Sequence, residues 1–264
     1  MHDQLRVLRH STLASWKIFT AFYTWKTWTF TWVSRLLIQV CFYAVIGRLL
    51  GSQEQVDYLL IGNAVSILAM DAMAIILMAT GERQSGTLPL MVAAPATHLT
   101  VYLGRGVVYL GSGVAASTVA FLLLPPIFGV WLPWPNVLAV PLMLVVVGIG
   151  CYCYGACIAS VVLGFPSARF LALNVSYLTL ATFCGVNVST AFWPPWLQGL
   201  IDLLPMSHGL RAIRSYVRDG ASGFVVSQLA LELVVAAGWC ALAAIGFQLM
   251  VTRGRRDGTI EYAS

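Results

Sequence analysis

The feature that most constrains this chain is how its charge is distributed. The few charged residues sit in short clusters, and long uncharged apolar runs lie between them. A run of about 20 apolar residues is what a helix needs to cross the hydrocarbon core of a bilayer. Only 9% of the residues are charged and 59% are hydrophobic; a soluble fold of this length would need a charged surface to stay dissolved. The runs predict six membrane-spanning helices, at about 30–50, 58–80, 101–124, 137–163, 168–190 and 224–250. The expected fold class is therefore an all-α integral membrane protein, with 1–264 forming one transmembrane domain.

Residues 1–27 read differently. Leu5, Leu8, Thr12, Trp16, Phe19 and Tyr23 recur at steps of three or four, while Arg6, Arg9, Lys17 and Lys26 supply charge. That pattern predicts an amphipathic helix in the membrane interface. The net charge of +5 does not imply nucleic acid as a partner, because the basic residues flank apolar spans instead of forming a patch on a polar domain. Their distribution sets an expected orientation. With the N-terminus cytoplasmic, most of the 15 lysines and arginines fall inside, and only Arg48, Arg211, Arg214 and Arg218 fall outside. Both termini are then cytoplasmic, in a multi-pass protein of the cytoplasmic membrane. No cleavable signal peptide is expected, since the first long apolar core starts too far in. The six cysteines lie in apolar segments without a nearby histidine, so no metal site is expected.

Three features carry more specific information. The connector 81–98 (GERQSGTLPLMVAAPATH) predicts a short helix capped by Thr87, with Pro89 in its first turn and Pro95 at its end. The segment 191–223 starts with Trp193-Pro194-Pro195-Trp196 and continues as two amphipathic stretches broken at Pro205. It is too apolar for a free loop and is expected to dip back into the outer leaflet. On its second stretch Arg211, Arg214 and Arg218 form a stripe at steps of three and four, suited either to an anionic group of cargo or to lipid phosphates. Finally, Arg35 in the first span and Asp71 in the second lie at nearly equal distance from the turn joining them, which predicts an ion pair. The alternative is that Arg35 snorkels inward and Asp71 faces a wet cavity. Glu232, near the outer half of the sixth span, is expected either to pair with Arg48 or the stripe, or to belong to a cargo path.

The pattern E-R-x-x-G-T-L-P-L-x-x-x-A-P over 82–95 resembles the coupling segment of ABC-2 type permeases. The stretch Trp193-Pro-Pro-Trp-Leu, followed by Leu-Leu-Pro205-Met-Ser-His-Gly-Leu-Arg211-Ala-Ile-Arg214, is similar to the segment before that family's last span. Its wording leans toward the drug and lipo-oligosaccharide exporters. The resemblance covers essentially the whole chain and implies export of a hydrophobic or amphipathic cargo (drug, natural product, lipid or glycolipid) by alternating access. It implies two permease chains, an identical second copy or a related one, and two copies of a separate ABC ATPase subunit, set among membrane lipid. Glu82, Arg83, Gly86, Thr87, Leu88 and Pro95 would form the ATPase contact; Pro89 departs from the family, which often has Glu there. A path between protomers would use Asn63, Ser66, Met70, Asn174, Tyr177 and Asn187, although such groups also serve as interhelical hydrogen bonds.

The chain has no G-x-x-x-x-G-K-[ST] loop, and its only lysines are Lys17 and Lys26. No cofactor is expected in this chain, and ATP and Mg²⁺ would be held by the partner ATPase. No catalytic residues are expected either. Gly111-Ser112-Gly113 lacks a general base, because His2, His10, His98 and His208 all lie outside the spans. An ATP-independent transporter or channel is the other alternative, but no inverted repeat is evident.

Overall fold

The computed structural model describes residues 2–22, 24–49, 51–84, 98–129 and 136–257, and every regular element among them is helical. The main helices are α1 (His2–Phe22), α2 (Trp25–Leu49), α3 (Gln53–Ala72), α4 (Ile75–Gln84), α5 (His98–Ile127) and α6 (Val140–Val162). They are followed by α7 (Arg169–Phe183), α8 (Pro195–Ile201), α9 (Ser207–Asp219) and α10 (Gly223–Asp257).

Four stretches among the described residues are long and apolar enough to cross a membrane: Gln53–Gly81, Thr100–Leu124, Val137–Val162 and Gly223–Arg253. They coincide with the second, third, fourth and sixth expected spans. The first and fifth are not among these four. Helix α2 runs over 25 residues. Helix α7 has only 15 residues and stops at Phe183, well before the expected end near 190. At 1.5 Å per residue it covers roughly 22 Å, less than the ~30 Å core of a bilayer. It stops because Gly185 turns into the left-handed region at φ 86°, which no helix can continue through.

Gln53–Gly81 is the hub: 89% of its apolar window is buried, against 17% for Gly223–Arg253. Leu60, Ile67, Leu68, Met73, Ile75 and Ile76 are all fully buried along it. The hub is interrupted where α3 hands over to α4. There the ladder tightens, with Ala74 N–H donating to Asp71 O at 2.9 Å and Ile76 N–H to Met73 O at 3.0 Å. Neighbouring helices close on this break only because they present glycine. A Cβ on Gly155 of α6 would lie 2.9 Å from Met73 Cα, and one on Gly113 of α5 would lie 2.8 Å from Asp71 Cβ.

Around the hub, α6 packs against α10, with Tyr154 edge-on to Trp239 at 4.8 Å between centroids. Tyr102 of α5 stacks on Phe247 of α10 at 4.6 Å. Helix α1 runs along the first half of α5. Thr12 Oγ1 donates to Gly104 O at 2.9 Å, Phe19 meets Tyr109 edge-on at 5.6 Å, and beyond the break Trp28 Nε1 donates to Ser112 Oγ at 2.9 Å.

The segment 191–223 forms a single turn at Thr190–Phe192, then α8 and α9. Pro195 opens α8, where its missing N–H costs nothing. Helix α9 buries Leu210, Ala212 and Ile213 in the main core and ends at Gly220, φ 79°.

Candidate functional site

A polar region inside the described core lies between α2, α3, α7 and the bend that follows α7. Positions 63, 66 and 70 share one face of α3 by helical spacing. Asn63 and Ser66 are 1% and 0% exposed, so each needs a hydrogen-bond partner inside the protein. Gln39 of α2 supplies the link. Its Nε2 lies 3.3 Å from Asn63 Oδ1, 3.1 Å from Ser66 Oγ and 3.0 Å from Tyr177 Oη of α7, two protons shared among three acceptors. Asn63 Nδ2 in turn donates to Leu59 O at 2.9 Å and to Asn187 Oδ1 at 3.0 Å. Four of the six residues assigned to a path by resemblance thus converge in one network. Met70 sits one turn away and accepts from Arg35 Nη2 at 2.8 Å. Asn174 is elsewhere, exposed on α7, where it donates to Phe170 O of its own helix at 2.8 Å.

Gln39 is absent from the sequence reading, yet a signal for it exists. It stands one turn beyond Arg35 on α2. Once Arg35 is set opposite Asp71 in an antiparallel pair, Gln39 must face the turn of α3 that holds Ser66 and Asn63. The structure places Arg35 Nη1 3.5 Å from Asp71 Oδ1.

The basic stripe separates into three unlike environments. Arg211 pairs with Asp202, and its Nε donates to Ser207 O at 3.2 Å. Arg214 turns inward: it donates to Gly185 O at 2.7 Å, Tyr58 O at 3.0 Å and Val186 O at 3.2 Å, with its guanidinium 3.4 Å above the Tyr58 ring. It therefore clamps the irregular backbone after α7 onto α3, joined by Tyr58 Oη donating to Gly185 O at 2.7 Å. Arg218 is exposed and pairs with its neighbour Asp219 at 3.1 Å.

Glu232 of α10 is fully buried, and its two oxygens are taken up by backbone amides. Met206 N–H donates to Oε1 at 2.7 Å and Gly209 N–H to Oε2 at 2.9 Å, so the carboxylate closes the N-terminus of α9 from another helix. Met206 holds φ 77°, rare for a residue with a side chain. His208 reinforces the junction, its Nδ1 2.8 Å from Gln228 Oε1 and its Nε2 3.1 Å from Asp202 O.

Of the expected coupling residues, Glu82 and Arg83 belong to the last turn of α4. Gly86, Thr87, Leu88 and Pro95 lie outside the described residues, as does the short helix expected there.

The long apolar helices among the described residues are those of a membrane protein. The family model for ABC-2 type transporters matches residues 12–217, and the chain belongs to that family. No curated protein and no solved structure matches the chain.

Proposed function

We propose that this chain is the permease subunit of an ATP-driven exporter that moves a hydrophobic or amphipathic cargo outward across the cytoplasmic membrane. The carrying observation is the Gln39–Asn63–Ser66–Tyr177–Asn187 network in a chain of the ABC-2 family. Buried polar groups also tie helices to one another; what favours a cargo path is that three of the five members of this network stay partly open. Gln39, Tyr177 and Asn187 are its half-buried members and would meet cargo; Asn63 and Ser66 stand behind them and hold them in place. Flanking α2 and α7 expose large apolar side chains, among them Ile38, Phe42, Leu171 and Leu178, which a second copy of the chain would cover.

In this reading α2, and α7 together with the irregular stretch that follows it to about residue 190, complete six crossings, both termini are cytoplasmic, and 191–223 faces the outer leaflet. ATP and Mg²⁺ reside on two copies of a separate ABC ATPase, docked at Glu82, Arg83, Gly86, Thr87, Leu88 and Pro95. Helix α4 connects that dock to the break at Met73–Ala74, next to Asp71 and about two turns from the belt. A push on α4 would therefore be felt at the belt through a joint already present in the helix.

The test is isolation of the chain from its host with its bound partners, followed by reconstitution in liposomes. An ABC ATPase should co-purify, and its turnover should be vanadate-sensitive and stimulated by cargo. Replacing 82–88 by a Gly/Ser linker should leave the complex assembled but uncouple ATP turnover from transport. Ion-gradient transport by this chain without any ATPase would overturn the proposal.

A further inference from the structure

A cavity of about 820 Å³ opens between the start of α3, the irregular stretch after α7, α9 and the start of α10. Its place in the fold fixes its depth. Glu54 lines it from the second residue of the span Gln53–Gly81, and Phe224 from the second residue of the span Gly223–Arg253. The cavity therefore sits where two spans end, at the level of lipid headgroups, whichever side of the membrane that is.

Its walls carry opposite charge. Glu54 and Asp57, three residues apart on one face of α3, form the acidic wall; Arg211 and Arg218, two turns apart on α9, form the basic one. Glu54 is exposed and, among the described residues, takes part in no hydrogen bond or ion pair. Asp57 is half-buried and accepts from Gln53 Nε2 at 3.2 Å. The arginines are partly engaged. Arg211 meets Asp202 through Nη2 and Ser207 O through Nε, and its Nη1 is neither buried nor bonded. Arg218 meets Asp219 through Nε and Nη2, and its side chain is 78% exposed. Arg214 shares the lining, but its guanidinium is spent on the backbone carbonyls of Tyr58, Gly185 and Val186.

Charge complementarity selects the occupant. Three arginines of the lining stand against four carboxylates, two on the lining and two paired with it. A bare anion is thus disfavoured, and a bare cation would have to sit among the guanidiniums. A zwitterion answers both walls at once. Its cationic end suits a primary ammonium, whose three N–H donors match two open carboxylates. A quaternary ammonium would want a cage of rings. The rings on this lining are Tyr58, already covered by the Arg214 guanidinium at 3.4 Å, and Phe224. Phe224 is 51% exposed and, with Val217, offers apolar surface to the start of a tail.

We propose that this cavity holds the head of an ethanolamine phospholipid, its ammonium on Glu54 and Asp57 and its phosphate on Arg211 and Arg218. The head would join α3 to α9 where, among the described residues, no ion pair does. The site lies within one protomer and binds lipid at rest. The inference thus goes beyond the transport reading and rests on neither the ATPase nor a cargo path.

Native mass spectrometry of the full chain, released from detergent, identifies each bound lipid by its mass. The probes are phosphatidylethanolamine, phosphatidylcholine and phosphatidylglycerol with identical acyl chains. The first should bind at least about five-fold more tightly than either of the others, as hydrogen bonds to a charged acceptor imply. Glu54→Gln, which removes a carboxylate that holds nothing in the fold, should cut that preference at least about two-fold. Glu54→Gln with Asp57→Asn should abolish it, and Arg218→Ala should weaken all three lipids. Glycerophosphoethanolamine, the same head without tails, should not displace the lipid at equal concentration. Phosphatidylcholine or phosphatidylglycerol binding as tightly as phosphatidylethanolamine, a preference unchanged in the folded double variant, or displacement by the soluble head at equal concentration would each overturn the proposal. The ranking on the unsubstituted chain decides the matter even where a variant fails to fold, and a negative result leaves the exporter reading standing.

Discussion

Replacing Glu232 by glutamine would isolate what one carboxylate does for α9. In the native arrangement its oxygens receive Met206 N–H at 2.7 Å and Gly209 N–H at 2.9 Å, in a fully buried setting. Glutamine keeps one acceptor and turns an NH₂ toward the other amide, which is then stranded. A stranded buried amide costs about 1–3 kcal/mol, and removing negative charge from a helix N-terminus costs about 0.5–2 kcal/mol more. The combined loss of about 1.5–5 kcal/mol corresponds to opening of the first turn of α9 made roughly 10- to 4,000-fold easier. Amide hydrogen exchange over 206–210, followed by mass spectrometry in nanodiscs, reads that opening directly. Gly150→Ala supplies an independent route to the same state, because the added Cβ would lie 2.6 Å from Glu232 Oε1 and push the carboxylate away. Glu54→Gln, on the first turn of α3, should leave exchange at 206–210 unchanged. Should Glu232→Gln exchange there within three-fold of the native rate, the interhelical cap would not be what holds α9 closed.

Three further outcomes are expected. Arg35→Asp and Asp71→Arg should each cost about 3–5 kcal/mol by leaving a buried charge unpaired, whereas the double swap should restore folded yield on size-exclusion chromatography; a double swap as poor as the singles would count against the pair. Arg214→Met should remove three hydrogen bonds to backbone carbonyls, leaving Gly185 O with Tyr58 Oη alone, and lower the melting temperature in detergent by about 5–15 °C, while Arg218→Ala, on an exposed pair, should shift it by about 1 °C or less. Gln39→Leu should destabilise by about 1–3 kcal/mol, and a double-mutant cycle with Tyr177→Phe should show coupling of at least about 0.5 kcal/mol; strict additivity would mean that the belt does not act as one network.

How much could be read in advance depended on whether the determinant was local. Four spans were legible because a long apolar run has no other stable form in a bilayer. Depth matching set Arg35 opposite Asp71, since a short turn between antiparallel helices fixes their register, and the same register contained Gln39 for anyone who extended it by one turn. The end of α7 had a local signal, Gly185 followed by Asn187, Ser189 and Thr190, hidden because no charge interrupts the run; what stops the helix is the positive φ of Gly185, held by Arg214 arriving from another helix. The arginine stripe shows the limit of periodicity. Spacing put three side chains on one side of α9 but could not say that one would meet Asp202, another three carbonyls and the third only its neighbour. Nor could it reveal the role of Glu232, whose partners are backbone amides with no residue type to betray them. For the coupling residues the boundary is of another kind, since Glu82 and Arg83 are placed on α4 and the rest fall outside the described residues.

The cap on α9 also has a consequence for how the chain is made. Glu232 follows Met206 by 26 residues, so when α9 leaves the ribosome its first turn has neither its acceptor nor any reward for the left-handed Met206. Both arrive only with the last helix. Insertion of α10 is thus the event that closes the first turn of α9, and a chain stalled before residue 232 would hold α9 to α3 through Arg214 while its N-terminus stayed open.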